Sequence, residues 1–196
     1  MKNLKIKVMR KIVLSVILIT VLGLTFFSNY FVVESTQLGA HIVELKLDTG
    51  DTAWMIVASA LVLIMTPGLG FFYGGMVGKK NVISTMLQSF MAMVIVTVLW
   101  VLIGFGLCFG PSIGGIIGDP SSNLLFNGVS ANTAWELAPT IPLLLFAFFQ
   151  AKFAIITPAL ITGAFAERVR FWAYLLFMVL FILFIYSPLC HMTWHP

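Results

Sequence analysis

Four long stretches with almost no charge constrain this chain more than any other feature. They cover about residues 53–78, 82–109, 137–166 and 171–190, and the only charge deep inside any of them is Lys152. About 20 apolar residues in a helix cross a hydrocarbon core of about 30 Å, so each stretch is long enough to span a bilayer. A spanning segment must satisfy its backbone hydrogen bonds internally, which a lone strand cannot do, so the stretches are expected to be helices. The expected fold class is an all-α integral membrane protein.

Composition agrees. Only 9% of residues are charged, against about 25% in a soluble domain. A chain this poor in charge would expose large apolar patches to water, which excludes an ordinary cytosolic enzyme and a disordered protein. Nucleic acid is excluded as a partner for a related reason. The net charge is only +4, and Lys2, Lys5, Lys7, Arg10 and Lys11 crowd the first eleven positions, leaving no basic face to track phosphates. Cys108 and Cys190 set no disulfide framework and read as small hydrophobes in apolar runs.

Residues 1–33 read as a signal peptide or signal anchor: a basic start followed by an uncharged apolar segment. Ser28, Ser35 and Ala40 are weak cleavage positions, so cleavage stays open. Residues 34–50 are mixed and polar and are expected to form a linker on the outside. Lys79-Lys80 and Arg168/Arg170 lie in short connections and are assigned to the cytoplasm, because basic residues concentrate there. The connection from 110 to 136 carries Asp119 and Glu136 but no lysine or arginine, which fits the outside. The order is therefore out-to-in, in-to-out, out-to-in, in-to-out.

Several side chains invite two readings. Gly70, Gly74 and Gly78 recur every four residues and form a smooth helical stripe, suited to general close packing or to a dedicated dimer contact; Pro67 in the same helix invites a kink. Phe149 and Phe153 share a helix face, as core or lipid-facing rings or as a pair that closes a pore. Lys152 is either a functional intramembrane charge or a snorkelling side chain. His191 and His195, at i and i+4, form a possible metal edge without a third ligand; no metal and no cofactor is expected. Trp194 is an interfacial anchor or a cation–π surface for a small cation. No set of nucleophile, acid and base occurs, so the chain is not expected to be an enzyme.

Long strings in the chain resemble a known family. Met65-Thr66-Pro67-Gly68-Leu69-Gly70-Phe71-Phe72-Tyr73-Gly74-Gly75-Met76-Val77, followed by Lys79-Lys80-Asn81-Val82, is similar to the first helix of the ammonium transporter (Amt/Mep/Rh) family. Phe149-Gln150-Ala151-Lys152-Phe153-Ala154-Ile155-Ile156-Thr157-Pro158 resembles its third helix, and Gly163-Ala164-Phe165-Ala166-Glu167-Arg168-Val169-Arg170-Phe171 that helix's end. Ser187-Pro188-Leu189-Cys190-His191-Met192-Thr193-Trp194 resembles the end of the fourth.

The resemblance implies the first four helices of an eleven-helix transporter, with residues 51–196 as a partial transporter domain after the signal or anchor segment. It implies a multi-pass protein of the cell inner membrane that recruits ammonium, removes a proton and conducts ammonia. Trp194 matches the outer tryptophan that holds the cation, and Phe149 and Phe153 match the aromatic pair below it, with Phe153 as the gate ring. Leu69, Phe72 and Tyr73 fall where the family lines the inner half of the pore. The partners implied are ammonium or ammonia, the lipid bilayer, a homotrimer or an assembly with full-length relatives, and a PII-type regulator. Lys152 stands where a small or uncharged residue is expected. The family builds its pore between two inverted repeats, a design that needs both halves. The alternative expectation is thus a non-transporting truncated or regulatory membrane protein that associates with complete transporters.

Overall fold

A computed structural model describes residues 41–195; the signal or anchor segment and the first part of the polar linker lie outside them. Among the described residues, four helices are long and apolar enough to cross a membrane: α1 (Thr49–Met76), α2 (Val82–Phe109), α3 (Leu143–Phe165) and α4 (Phe171–Trp194). The ends that the charge pattern assigns to the outside are termed outer, and the opposite ends inner. Short strands decorate the outer side. β1 (Ile42–Glu44) pairs antiparallel with β4 (Thr133–Trp135), and β2 (Ser112–Ile113) pairs with β3 (Ile117–Gly118).

Each helix boundary has a local cause. Asp48 caps α1, its carboxylate accepting the Asp51 N–H at 2.8 Å, which satisfies one of the unpaired amides of a helix start. Helix α1 continues through Pro67 and α3 through Pro158. Helix α3 begins at Leu143 rather than near 137. The apolar run does start earlier, but Pro139 and Pro142 push the residues before them out of helical geometry. Trp135 and Ala138 form an isolated antiparallel bridge there instead.

Helix α2 is the central element, packing against α1, α3 and α4. Two core clusters follow. The outer one is aromatic and includes Trp100, Phe105, Phe109, Trp135 and Phe146. Trp100 is 1% exposed, and its indole N–H donates to the Ala147 carbonyl at 3.0 Å, as a buried Trp requires. Cys108 and Cys190 are free thiols buried in this cluster. The inner cluster is smaller: Ala92, Ala159, Tyr174 and Met178. Within it the Tyr174 hydroxyl and Thr162 Oγ1 share a hydrogen bond of 2.9 Å.

The glycine stripe is a packing surface between α1 and α2. A Cβ on Gly74 would lie 2.8 Å from Met86 Cγ, and one on Gly70 would lie 3.4 Å from Ser89 Cβ. The third member, Gly78, donates its N–H to Glu167 Oε1 at 2.8 Å, and Asn81 Nδ2 donates to the same oxygen at 2.9 Å. One carboxylate thereby ties the two inner connections together. These bonds, that from Asn81 first, hold the Glu167 carboxyl below its usual range. Glu167 itself sits in the left-handed region with φ 64°, an uncommon conformation outside glycine.

Two π-turns interrupt otherwise α-helical spans, Trp100–Gly104 in α2 and Ile182–Tyr186 in α4. In the second, both the backbone N–H and the side-chain hydroxyl of Ser187 bond the Ile182 carbonyl, the hydroxyl at 2.9 Å. The Trp100 and Tyr186 rings touch across the two helices at 6.5 Å between centroids. A π-turn inserts one residue into a helix and shifts the face that everything beyond it presents.

Candidate functional site

Three rings expected to act together meet at the outer side. Phe149 and Phe153 stack edge to face on α3, with centroids 5.0 Å apart at 73°. Phe153 in turn meets Trp194, from the last turn of α4, at 6.3 Å and 89°. Such edge-to-face contacts suit the charge distribution of aromatic rings. The result is a row Trp194–Phe153–Phe149 in which both phenylalanines are half-buried and the indole is 45% exposed. Every side chain in the row is uncharged, and its open end is the ring best suited to a cation.

The inner trio is less unified. Tyr73 donates its hydroxyl to the Leu160 carbonyl at 2.7 Å and lays its ring against Gly163, where a Cβ would lie 2.7 Å from Tyr73 Cε1. Phe72 touches Tyr73 at 5.4 Å but is 60% exposed. Leu69 packs instead against the inner core cluster. Phe72 and Tyr73 therefore share a surface, while Leu69 is partly committed to the packing between helices.

Lys152 places its ammonium over the ring of Phe148, 5.4 Å from the centroid. Phe148 lies one turn toward the outer end, the direction in which helical side chains lean. The lysine thus reaches outward, as snorkelling requires, and its charge rests on a ring outside the row.

The histidines at the end of α4 do not form a metal edge. His191 is buried and uses both ring nitrogens: Nδ1 lies 2.9 Å from the Cys108 carbonyl and Nε2 lies 2.9 Å from Ser112 Oγ. A carbonyl only accepts, so Nδ1 carries a proton and donates to it, while Nε2 shares its hydrogen bond with the serine hydroxyl. The His195 ring lies 4.3 Å from that of His191 and 4.6 Å from that of His41. His41 Nδ1 pairs with Glu136 Oε2 at 2.7 Å. Among the described residues no group of three or more His, Cys, Asp or Glu side chains is arranged to hold a metal. The sequence reading, which expected no metal at these histidines, did not find the anchoring role of His191, because Cys108 and Ser112 are distant in sequence.

An open cleft of about 280 Å³ lies at the outer end of α1, lined by Asp51, Trp54, Met55 and residues 137–141. None of the three rings in the row lines it.

Comparison with known proteins fixes the context. The profile of the Ammonium Transporter Family matches residues 53–196. An ammonium transporter of Mycobacterium tuberculosis is 48% identical over 157 residues, covering 74% of this chain and 33% of the relative. One from Aquifex aeolicus is 43% identical, covering 79% of this chain and 36% of the relative. The crystal structure of Saccharomyces cerevisiae Mep2 superposes with a TM-score of 0.67 at 31% identity, covering 76% of this chain and 33% of that one. The chain thus spans about a third of the length of the curated relatives it matches. With four apolar helices in the described residues, a family profile across most of the chain and close relatives of one kind, this multi-pass membrane protein belongs to the ammonium transporter family.

Proposed function

We propose that this chain contributes the outer recruitment site and part of the conduction path of an ammonium transporter. The observation that carries this reading is the row Trp194–Phe153–Phe149, with its indole exposed and its phenylalanines half-buried. A small cation is attracted to the face of an indole by about 0.5–1 kcal/mol when exposed and about 2 kcal/mol or more when desolvated. Below that face the rings offer no ligand to an ion. Moving a bare cation into such a place is very costly unless it sheds its charge. Ammonium held at the half-exposed Trp194 therefore passes its proton to water of the outer solution, and neutral ammonia passes the Phe153 and Phe149 rings. Selectivity comes from pairing a cation site with a dry constriction. Leu69, Phe72 and Tyr73 belong to the inner half of the path, where the Leu69 side chain contributes from the packed side.

By the family resemblance, the chain works within an eleven-helix architecture in the cell inner membrane, as a homotrimer or in an assembly with full-length relatives. Residues 51–196 form the transporter part, behind a signal or anchor segment. By the same resemblance, a PII-type regulator docks at the cytoplasmic mouth. The placement of Lys152 over Phe148 supports this reading, because a second cation on the indole face would repel the substrate.

Uptake of labelled methylammonium by a host without ammonium carriers tests the assignment, with the chain expressed in its native coding context. Trp194→Ala is expected to lower uptake at limiting substrate by about two- to thirtyfold, the span of one cation–π contact, and to leave uptake at saturation much less changed. Equal uptake by the two proteins at limiting substrate refutes the recruitment role.

A further inference from the structure

The last turn of α4 carries Trp194, and a helix end is the part of a helix least able to hold its own position. Its final carbonyls have no partners within the helix. Here the turn also follows a π-turn at Ile182–Tyr186, so its azimuth is not dictated by the regular helix below. Something outside α4 must set it. On one side Trp194 meets Phe153 of α3. On the other, the buried ring of His191 bonds the Cys108 carbonyl at the outer end of α2 and the Ser112 hydroxyl in β2, both at 2.9 Å.

Those two partners are themselves fixed. The hairpin of β2 and β3 nests on the end of α2, where a Cβ on Gly118 would run into the Gly106 carbonyl. The Asp119 N–H closes the same region by donating to the Pro111 carbonyl at 2.8 Å. His191 therefore clamps the Trp194-bearing turn to a rigid corner. Thr193 Oγ1 returns to the Leu189 and Cys190 carbonyls within α4, and just beyond the turn the His195 ring meets those of His41 and Trp135 at 4.6 and 6.0 Å between centroids.

We infer that His191 is a positioning residue for the recruitment site: its two hydrogen bonds hold the last turn of α4 at the rotation that sets the Trp194 indole against the Phe153 edge. The inference rests on the recruitment role proposed for Trp194, and it makes a geometric claim that is measurable apart from that role. His191 touches no substrate. It acts through the indole, and Ser112 acts through His191.

The test uses the full chain, labelled with 5-fluorotryptophan and reconstituted in lipid nanodiscs, and fluorine NMR. The Trp194 resonance is the one that vanishes in Trp194→Phe. Without ammonium, His191→Ala and Ser112→Ala are both expected to shift or broaden the Trp194 resonance, while that of Trp172, at the inner end of α4, stays in place. With ammonium chloride added against a sodium chloride control, the half-saturating concentration read at Trp194 is expected to rise. The rise is about tenfold in His191→Ala and about threefold in Ser112→Ala, the scale of one or two modest hydrogen bonds. His191→Asn, which keeps a donor for the Cys108 carbonyl, is expected to fall between wild type and His191→Ala.

A Trp194 resonance unmoved in both variants overturns the proposal. If His191→Ala disturbs every tryptophan signal, it has unfolded the chain, and Ser112→Ala alone decides by the same criterion. If ammonium moves no resonance in the wild-type chain, recruitment at Trp194 fails, and the ammonium-free spectra still decide whether His191 positions the indole.

Discussion

The outer and inner ends of this helical set are held together by different means. The outer end is aromatic and heavily looped: Trp100, Phe105, Phe109, Trp135 and Phe146 interlock, and Trp100 and His191 each send a ring nitrogen to a carbonyl of another helix. At the inner end the helices approach through glycine: α2 lies on Gly70 and Gly74, and Tyr73 lies on Gly163. One carboxylate, Glu167, joins the two inner connections. Where interfaces rest on large rings, position is set by shape and by a few buried polar bonds. Where they rest on missing side chains, it is set by backbone proximity. Substrate recruitment needs the first kind, since an indole must be presented at one angle.

The comparison can be broken most sharply at Trp100. Trp100→Ala is expected to destabilise the chain by about 3–5 kcal/mol, as large buried aromatics do when truncated, and to loosen the outer end first. Denaturation of the solubilised chain gives the magnitude, and hydrogen exchange shows which end opens. A loss spread evenly over both ends would mean that the two are not independently held.

At the inner end the sensitive change is an added methyl. Gly163→Ala places a Cβ against the Tyr73 ring and is expected to cost about 1–3 kcal/mol, the usual range for overpacking. Gly74→Ala meets a flexible Met86 side chain instead and is expected to cost less. The same denaturation assay ranks them, and the reverse order would show that the ring yields more easily than the thioether.

The smallest expected effect is at Glu167. Its folded carboxyl is held below the usual range by Asn81 and Gly78, so the stabilisation is fully present above the unfolded value of about 4.3. It is lost as pH falls through the lower folded value. Melting curves from pH 7 down to pH 3 are expected to show a small acid-side loss in wild type that is absent in Glu167→Gln. Parallel curves for the two proteins would mean that the carboxylate contributes nothing to holding the inner connections.

Much of the architecture was legible because hydropathy reports burial in lipid directly: all four spans are visible as stretches with almost no charge. The start of α3 was misplaced because residues 137–142 are apolar while Pro139 and Pro142 refuse the helix. The π-turns left no trace, since inserting one residue at Trp100–Gly104 or Ile182–Tyr186 changes hydrogen-bond register without changing hydropathy. The ring row was legible for Phe149 and Phe153 through their i, i+4 spacing. Trp194 was joined to them by the family resemblance alone, because spacing within one helix says nothing of a ring on another; the packing of α3 against the end of α4 brings the three rings into contact. The partial burial of Leu69 in the inner cluster was illegible, because its neighbours there come from three other helices.

The central claim is that ammonium sits on the outer face of Trp194 before it loses its proton. A structure of the transporter containing this chain, determined with bound methylammonium, tests it most directly. The account predicts ligand density over the indole, within about 6 Å of the ring centroid, with the Phe153 edge beneath it. An indole face covered by lipid or protein, with the cation bound elsewhere while transport is intact, would contradict it.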